Sequence, residues 1–221
     1  MDLVERYYEF RRKGYGAKVA WERLREEYSR QYPKGGDSSQ AWRSISGKVF
    51  ENVAIKEFET QLARLKNCRS LRVESWSQIP ENLQEPLSEK LWVRGEIKPI
   101  VAESNVDIIA YEVDDNQAPS RIIAVYSCKV SLRERFQQDL FWAERLRGRG
   151  IRFCLITLDH DQVLIKAAQT GNLSSKQASI AAALYDRVYL FHSAEDIKYY
   201  VKIFRSIDFL GQDLTLWQKQ D

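Results

Sequence analysis

Residues 106–129 read VDIIAYEVDDNQAPSRIIAVYSCK, and this stretch carries the clearest structural pattern in the chain. Two runs rich in isoleucine, valine and tyrosine, 106–113 and 121–129, flank the polar triplet Asp-Asp-Asn at 114–116. β-branched and aromatic residues favour strands, whereas Asp and Asn favour turns. The stretch therefore predicts two strands joined as a β-hairpin.

Helical and strand patterns alternate outward from this hairpin. Upstream, apolar residues spaced by three and four predict a long helix over about 40–66, which a residue at 37–39 would cap. Downstream, the pattern predicts an amphipathic helix over 131–147 and a buried strand over 151–158. A helix, a strand and a last helix follow over 176–185, 187–191 and about 194–205. This order predicts an α/β (α+β) fold with a central mixed sheet flanked by helices.

Composition excludes several classes of protein. The chain has 221 residues with a formal net charge of +3, which argues against a histone-like binder held by charge alone. No run of 18 apolar residues occurs, and residues 1–13 lack the apolar core of a signal peptide, so we expect a cytoplasmic protein with no membrane contact. Three dispersed cysteines fit neither a disulfide framework nor a zinc site. The sequence contains no phosphate-binding glycine loop followed by lysine, which excludes a nucleotide-driven motor.

Two charged residues interrupt the predicted hairpin strands. Asp107 lies in an apolar run, and Lys129 ends the second strand. An unpaired charge in a buried strand is costly. The two residues therefore lie on a solvated sheet face, form a buried ion pair, or belong to a site that needs an acid and a lysine together.

A second concentration of charge follows immediately. Arg133, Glu134 and Arg135 open the predicted helix, although arginines in a first helical turn oppose the helix dipole. DNA phosphates or guanine edges would compensate for this. Arginine reads guanine O6 and N7, and glutamate accepts from cytosine N4. The cluster therefore has the chemistry needed to read G·C pairs.

The segment from Ser127 to Arg135 resembles the signature of type II restriction endonucleases of the PD-(D/E)XK fold that recognise CC/GG-containing sites. In these enzymes an Arg-(Asp/Glu)-Arg element begins four residues after the catalytic lysine, as Arg133 follows Lys129 here. The resemblance makes Asp107 the upstream acid and Lys129 the catalytic lysine. It also makes Glu51, within Gly-Lys-Val-Phe-Glu at 47–51, a further catalytic acid and metal ligand.

Two positions depart from the family pattern. Val106 replaces the proline before the acid, and Ser127 stands where an acid two residues before the lysine is expected. In CC/GG-type enzymes that acid is commonly displaced onto the following helix, thirteen or fourteen residues after the lysine. We expect Glu144 to take this catalytic and metal-binding role, with Asp139, about one turn earlier, as the alternative.

The resemblance implies Mg²⁺-dependent hydrolysis of double-stranded DNA by a homodimer at a short palindrome with a CC/GG core. Arg145 and Arg147 would contact the DNA backbone. Residues 37–221 would form the catalytic domain, and residues 1–36 an N-terminal helical arm that grips DNA, grips a second chain or simply packs on the core. Two other readings remain open: a junction resolvase or repair nuclease of the same fold, and a DNA-binding relative that has lost catalysis.

Overall fold

The computed structural model describes residues 2–32, 37–65, 68–93, 96–101, 105–131, 136–197 and 203–220. In these ranges the helices are α1 (Leu3–Arg12), α2 (Ala17–Gln31), α3 (Ser38–Arg64), α4 (Phe136–Arg147), α5 (Val163–Thr170), α6 (Lys176–Leu184) and α7 (Leu210–Gln218). The strands are β1 (Leu71–Ser75), β2 (Ser88–Val93), β3 (Glu96–Val101), β4 (Ile108–Val113), β5 (Pro119–Lys129), β6 (Arg152–Thr157), β7 (Arg187–Leu190) and β8 (Phe204–Ser206).

A mixed six-stranded sheet in the order β1-β4-β5-β6-β7-β8 forms the centre of the molecule. β1 pairs with β4 and β4 with β5 in antiparallel fashion, whereas β5, β6, β7 and β8 run parallel to one another. Helices cover both faces, as the sequence predicts. β2 and β3 form a separate two-stranded sheet.

The predicted hairpin is confirmed as β4 and β5. Its turn is held by the Asp114 side chain, which accepts the amide protons of Asn116 and Ala118 at 2.9 Å each. Gln117 adopts a left-handed conformation with a φ of 62°, as tight turns often require. The Asp114 side chain stabilises this turn. The hairpin sets Ile108 opposite Tyr126, so the residues that precede β4 lie beside the end of β5.

The four parallel strands end in line at one edge of the sheet. Lys129 pairs with Thr157, Thr157 with Leu190, and Leu190 with Ser206. Because β4 is antiparallel to β5, it begins at this same edge. We call it the carboxyl edge, and the hairpin places Asp107 and Lys129 there together.

Two apolar cores lie on the two faces of the sheet. One face packs against α1, α2, α3 and α7. In this core the ring centroids of Phe58 and Tyr126 lie 4.9 Å apart in an edge-to-face contact. The other face packs against α4, α5 and α6 around Val125, Phe153 and Leu155. The long helix α3 begins where Asp37 accepts the amide protons of Ser39 and Gln40, so the predicted cap is confirmed.

The N-terminal helices share a core with the rest of the chain. Trp21 of α2 lies 5.4 Å from the ring of Trp42 and 5.4 Å from that of Phe50, both on α3. On α1, the Tyr7 hydroxyl donates to Glu57 of α3 at 3.0 Å. Packing on the core therefore accounts for these aromatic residues. The expected boundary at residue 36 lies outside the described residues, and the division into two domains stays a prediction.

The C-terminal part differs from the prediction. The expected helix over about 194–205 is wrong: Ala194–Asp196 forms a single 3-10 turn, and residues 204–206 form the edge strand β8. The last helix is α7, whose Leu210, Leu214 and Trp217 recur at helical spacing and are buried. The sequence analysis also missed α5 and the strands β1, β2 and β3. None of the described helices is both long and apolar enough to cross a membrane.

Candidate active site

Asp107 and Lys129 meet at the carboxyl edge. The Asp107 Oδ2 atom accepts the Cys128 amide proton at 2.5 Å and lies 3.4 Å from the Lys129 Nζ atom. The Asp107 amide donates to the Tyr126 carbonyl at 2.9 Å, which anchors the residue to β5. The Lys129 side chain is only 8% exposed, whereas that of Asp107 is 28% exposed. Hydrogen bonds therefore fix the positions of both side chains, and solvent reaches the pair through Asp107.

Ser127 lies on the same face of β5 as Lys129, because side chains alternate along a strand. It is fully buried, and its hydroxyl has no hydrogen-bond partner among the described residues. An acid at this position would point into the same space as Lys129. The serine therefore leaves this part of the site without a carboxylate, and a second acid has to come from another element.

Glu51 approaches the site from α3. Its side chain is 13% exposed and pairs with Lys48 one turn earlier, with 2.7 Å between Lys48 Nζ and Glu51 Oε1. Burial raises the pKa of the nearby Cys128 thiol, and the charges of Asp107 and Glu51 raise it further. Phe50, next to Glu51, lies 5.0 Å ring to ring from Phe191, which directly follows β7, so this turn of α3 lies at the carboxyl edge.

Asp139 is the acid of α4 that faces the sheet. It is buried, and it shares one helix face with Trp142, Ala143 and Leu146, which pack in the core. Its Oδ1 atom accepts a hydrogen bond from Asn105 Nδ2 at 2.7 Å, and its Oδ2 atom accepts one from the Tyr185 hydroxyl. Burial, followed by the charge of Asp139, raises the pKa of Tyr185. Since Asn105 precedes Asp107 by two residues, Asp139 is linked to the strand start that carries the acid.

Glu144 does not share this position. It is exposed, although Trp142 and Ala143 immediately before it are buried. Five residues separate it from Asp139, which corresponds to about 140° around the helix and ~7.5 Å along it. Glu144, the acid expected to join the metal site, therefore does not share the buried face of α4, and Asp139, the alternative, is the acid on α4 that faces the sheet.

The two arginines expected to contact the DNA backbone lie near the end of α4. Arg147 Nη2 donates to the Leu184 carbonyl at 3.1 Å, just before β7 begins, and the Arg145 guanidinium stacks on Phe141 at 5.3 Å. This is the opposite edge of the sheet from Lys129. The five residue steps along β6 separate the two edges by about 17 Å. The structure therefore does not bring Arg145 and Arg147 to the acid–lysine pair.

The base-reading candidates Arg133, Glu134 and Arg135 lie outside the described residues. The chain on either side of them is described: β5 ends at Lys129, and α4 begins at Phe136. These three residues therefore lie in sequence between the carboxyl edge and α4, four to six residues after Lys129.

The donor set at this edge suits a hard divalent cation, because carboxylate oxygens are the ligands that Mg²⁺ prefers. In the described ranges, however, no three His, Cys, Asp or Glu side chains come together closely enough to hold a metal ion. Glu51 is instead paired with Lys48, and Asp139 with Asn105 and Tyr185. Mg²⁺ commonly uses one or two carboxylates and completes its shell with waters and substrate phosphate. The residues present fit that mode of binding.

Three functional candidates were missed in the sequence: Lys48, Asn105 and Tyr185. Lys48 lies inside the 47–51 motif, and its spacing of three residues from Glu51 on a helix could have predicted the ion pair. Tyr185 lies 46 residues from Asp139, and nothing in the sequence pattern connects the two.

Comparison with known proteins agrees with this architecture. The family described as BsaWI restriction endonuclease type 2 matches residues 81–212, more than half of the chain. The chain therefore belongs to the BsaWI family of type 2 restriction endonucleases. The match includes Asp107, Lys129 and Asp139 but begins after Glu51. No curated protein matches the sequence.

Two solved structures are similar in fold. One is a specific complex of restriction endonuclease AgeI with DNA, with a TM-score of 0.55 and 21% identity, over 80% of this chain and 64% of the AgeI chain. The other is a pre-specific complex of restriction endonuclease BsaWI with DNA, with a TM-score of 0.50 and 12% identity, over 99% of this chain and 93% of that one. The chain thus spans less than two thirds of the AgeI chain, and at these identities the likeness shows the fold alone.

Proposed function

We propose that this protein is a type II restriction endonuclease that hydrolyses phosphodiester bonds in double-stranded DNA by Mg²⁺-dependent PD-(D/E)XK chemistry. The observation that carries the proposal is the Asp107–Lys129 pair, 3.4 Å apart at the carboxyl edge of a mixed sheet. Membership of a restriction endonuclease family supports it. The DNA complexes of AgeI and BsaWI support double-stranded DNA as the substrate.

Asp107 and a second carboxylate would hold the metal. Asp139 is the better second candidate on α4, because it faces the sheet and is linked through Asn105 to the start of β4. Glu51 completes the set from the opposite face. Bound Mg²⁺ would lower the pKa of a water and stabilise charge on the phosphate in the transition state.

Lys129 has the role of a fixed cation. Its burial leaves little freedom, and Asp107 holds its ammonium at one position. An ammonium in this position would orient an attacking water and neutralise the scissile phosphate. Because it is already in place, the site would not have to rearrange as charge develops in the transition state. Asp107, anchored by the Cys128 amide, fixes the position of both the lysine and the metal.

Sequence recognition belongs to Arg133, Glu134 and Arg135 in this proposal. They begin four residues after Lys129 in the sequence, and their chemistry matches guanine and cytosine edges. We therefore propose a short palindromic site with a CC/GG core, read by two copies of the chain.

A plasmid digest tests the proposed function. We expect discrete fragments with Mg²⁺ and none with EDTA, and sequencing of the fragment ends should show a CC/GG core. Asp107→Ala and Lys129→Ala should each abolish cleavage while binding to a duplex carrying that site persists. Cleavage at near wild-type rate in either variant would overturn the assignment.

The same digest distinguishes a second candidate. The serine at position 127 and the absence of three converged acids in the described ranges favour a DNA-binding relative that has lost catalysis. That protein would bind duplex DNA but release no fragments with Mg²⁺ or Mn²⁺. Nicking that depends on DNA structure rather than sequence would instead identify a resolvase or repair nuclease.

A further inference from the structure

Helix α3 carries two lysine–glutamate pairs with the same spacing but different surroundings. Lys48 pairs with Glu51 at 2.7 Å, and Lys56 pairs with Glu59 at 3.1 Å, each three residues apart. Both lysines are more than half exposed. Glu59 is 52% exposed, whereas Glu51 is only 13% exposed. The first pair therefore joins an exposed lysine to a largely buried carboxylate, and the second is an ordinary surface pair.

The Lys48–Glu51 pair lies at the proposed active site. Val49 and Phe50, which lie between the two residues in sequence, pack in the same apolar cluster as Cys128 at the end of β5. The Cys128 amide donates directly to Asp107. The neighbouring helix residue Phe50 is fully buried and packs on Trp21 and Phe191, which fixes this turn of α3 against the core. Of the two side chains in the pair, only that of the lysine is largely exposed.

Two cations then compete for one carboxylate. Without metal, Lys48 compensates the charge of Glu51, which burial would otherwise make costly. A divalent cation held by Glu51 would place two positive charges close to the ammonium, and the repulsion between them would displace the lysine. A phosphate of bound DNA would then offer the displaced ammonium a new negative partner.

We propose that Lys48 is an exchangeable cation of the active site, which neutralises Glu51 in the free protein and contacts a DNA phosphate when metal and DNA are bound. This inference rests on the proposed function. It makes Lys48 a positioning residue for Glu51 and a contributor to DNA affinity. Lys56 provides the matched control, because its pair has the same spacing on the same helix but lies two turns further along.

The first test measures metal binding without DNA. Mn²⁺ binding to the full chain, followed by the loss of the free-ion electron paramagnetic resonance signal, should become two- to fivefold tighter in Lys48→Met, because a competing ion pair of that strength is removed. Glu51→Gln should weaken it, and Lys56→Met should leave it unchanged. Thermal melting verifies that each variant is folded. Unchanged or weaker Mn²⁺ binding in Lys48→Met would overturn the exchange.

The second test measures DNA binding without cleavage. With Ca²⁺ in place of Mg²⁺, the salt dependence of duplex binding should fall by about one unit of slope in Lys48→Met, as the loss of one phosphate contact requires. The slope for Lys56→Met should equal that of the wild type. Equal slopes for all three proteins would overturn the phosphate contact. Failure of the proposed function is a separate outcome, since the wild type would then neither bind Mn²⁺ nor cut DNA.

Discussion

At the scale of single residues, the site depends on which acids face the sheet. Asp139 is buried and accepts hydrogen bonds from Asn105 and Tyr185, whereas Glu144 is exposed on another side of α4. A carboxylate held by two donors is preorganised as a ligand, because its orientation does not have to be fixed when metal binds. Asp107 is held in the same way by the Cys128 amide.

This difference gives a direct prediction. Asp139→Asn should reduce the cleavage rate about a hundredfold or more, because loss of the proposed metal ligand would remove several kcal/mol of transition-state stabilisation. Glu144→Gln should cleave at the wild-type rate. Single-turnover cleavage of a plasmid measures both, with thermal melting to verify that Asp139→Asn is folded. A damaging Glu144→Gln beside a silent Asp139→Asn would return the role to Glu144.

At the scale of secondary-structure elements, α1 and α2 act as parts of the core. The side chain of Trp21 is almost fully buried between α2 and α3, and the Arg11 guanidinium bridges Glu57 of α3 at 3.1 Å and Asp208 at 3.2 Å. These contacts join α1 to a helix that carries Glu51 and to the segment before α7. The N-terminal helices therefore support the helix that supplies one of the proposed acids.

We expect Trp21→Ala to lower the free energy of unfolding by about 3–5 kcal/mol, the usual cost of removing a buried tryptophan side chain. Val19→Ala on the same helix is the control, since Val19 is 43% exposed. It should change the free energy of unfolding by less than ~0.5 kcal/mol. Urea denaturation measures both. Equal, small effects would mean that α2 is an independent arm rather than part of the core.

At the scale of the whole molecule, each chain brings one Asp107–Lys129 pair to one edge of one sheet. Cutting both strands of a palindrome requires that pair twice, and a two-fold axis supplies the second copy with the symmetry of the site. Sedimentation of Asp107→Ala on a duplex with one cleavage site should therefore show two chains per duplex. A single chain that cuts both strands in one binding event would contradict the dimer.

Local sequence determined the hairpin and, with it, the core of the site. β-branched runs on either side of an Asp-Asp-Asn turn specify which two segments pair as neighbouring strands. Pairing of Ile108 with Tyr126 then puts Asp107 beside Lys129. The Arg-Glu-Arg cluster after the lysine could be recognised because it, too, is continuous in sequence.

Tertiary structure decided which acid of α4 faces the sheet, where Arg147 lies and how the chain ends. The buried face of α4 is set by packing against β6 and α6, and the contact between Asp139 and Tyr185 spans 46 residues. β8 has only three residues and forms by pairing with the edge of β7. This pairing outweighs the local helical preference on which the prediction was based. The physical reason is the same in each case: these features depend on partners distant in sequence, whose free energy of contact outweighs local preference.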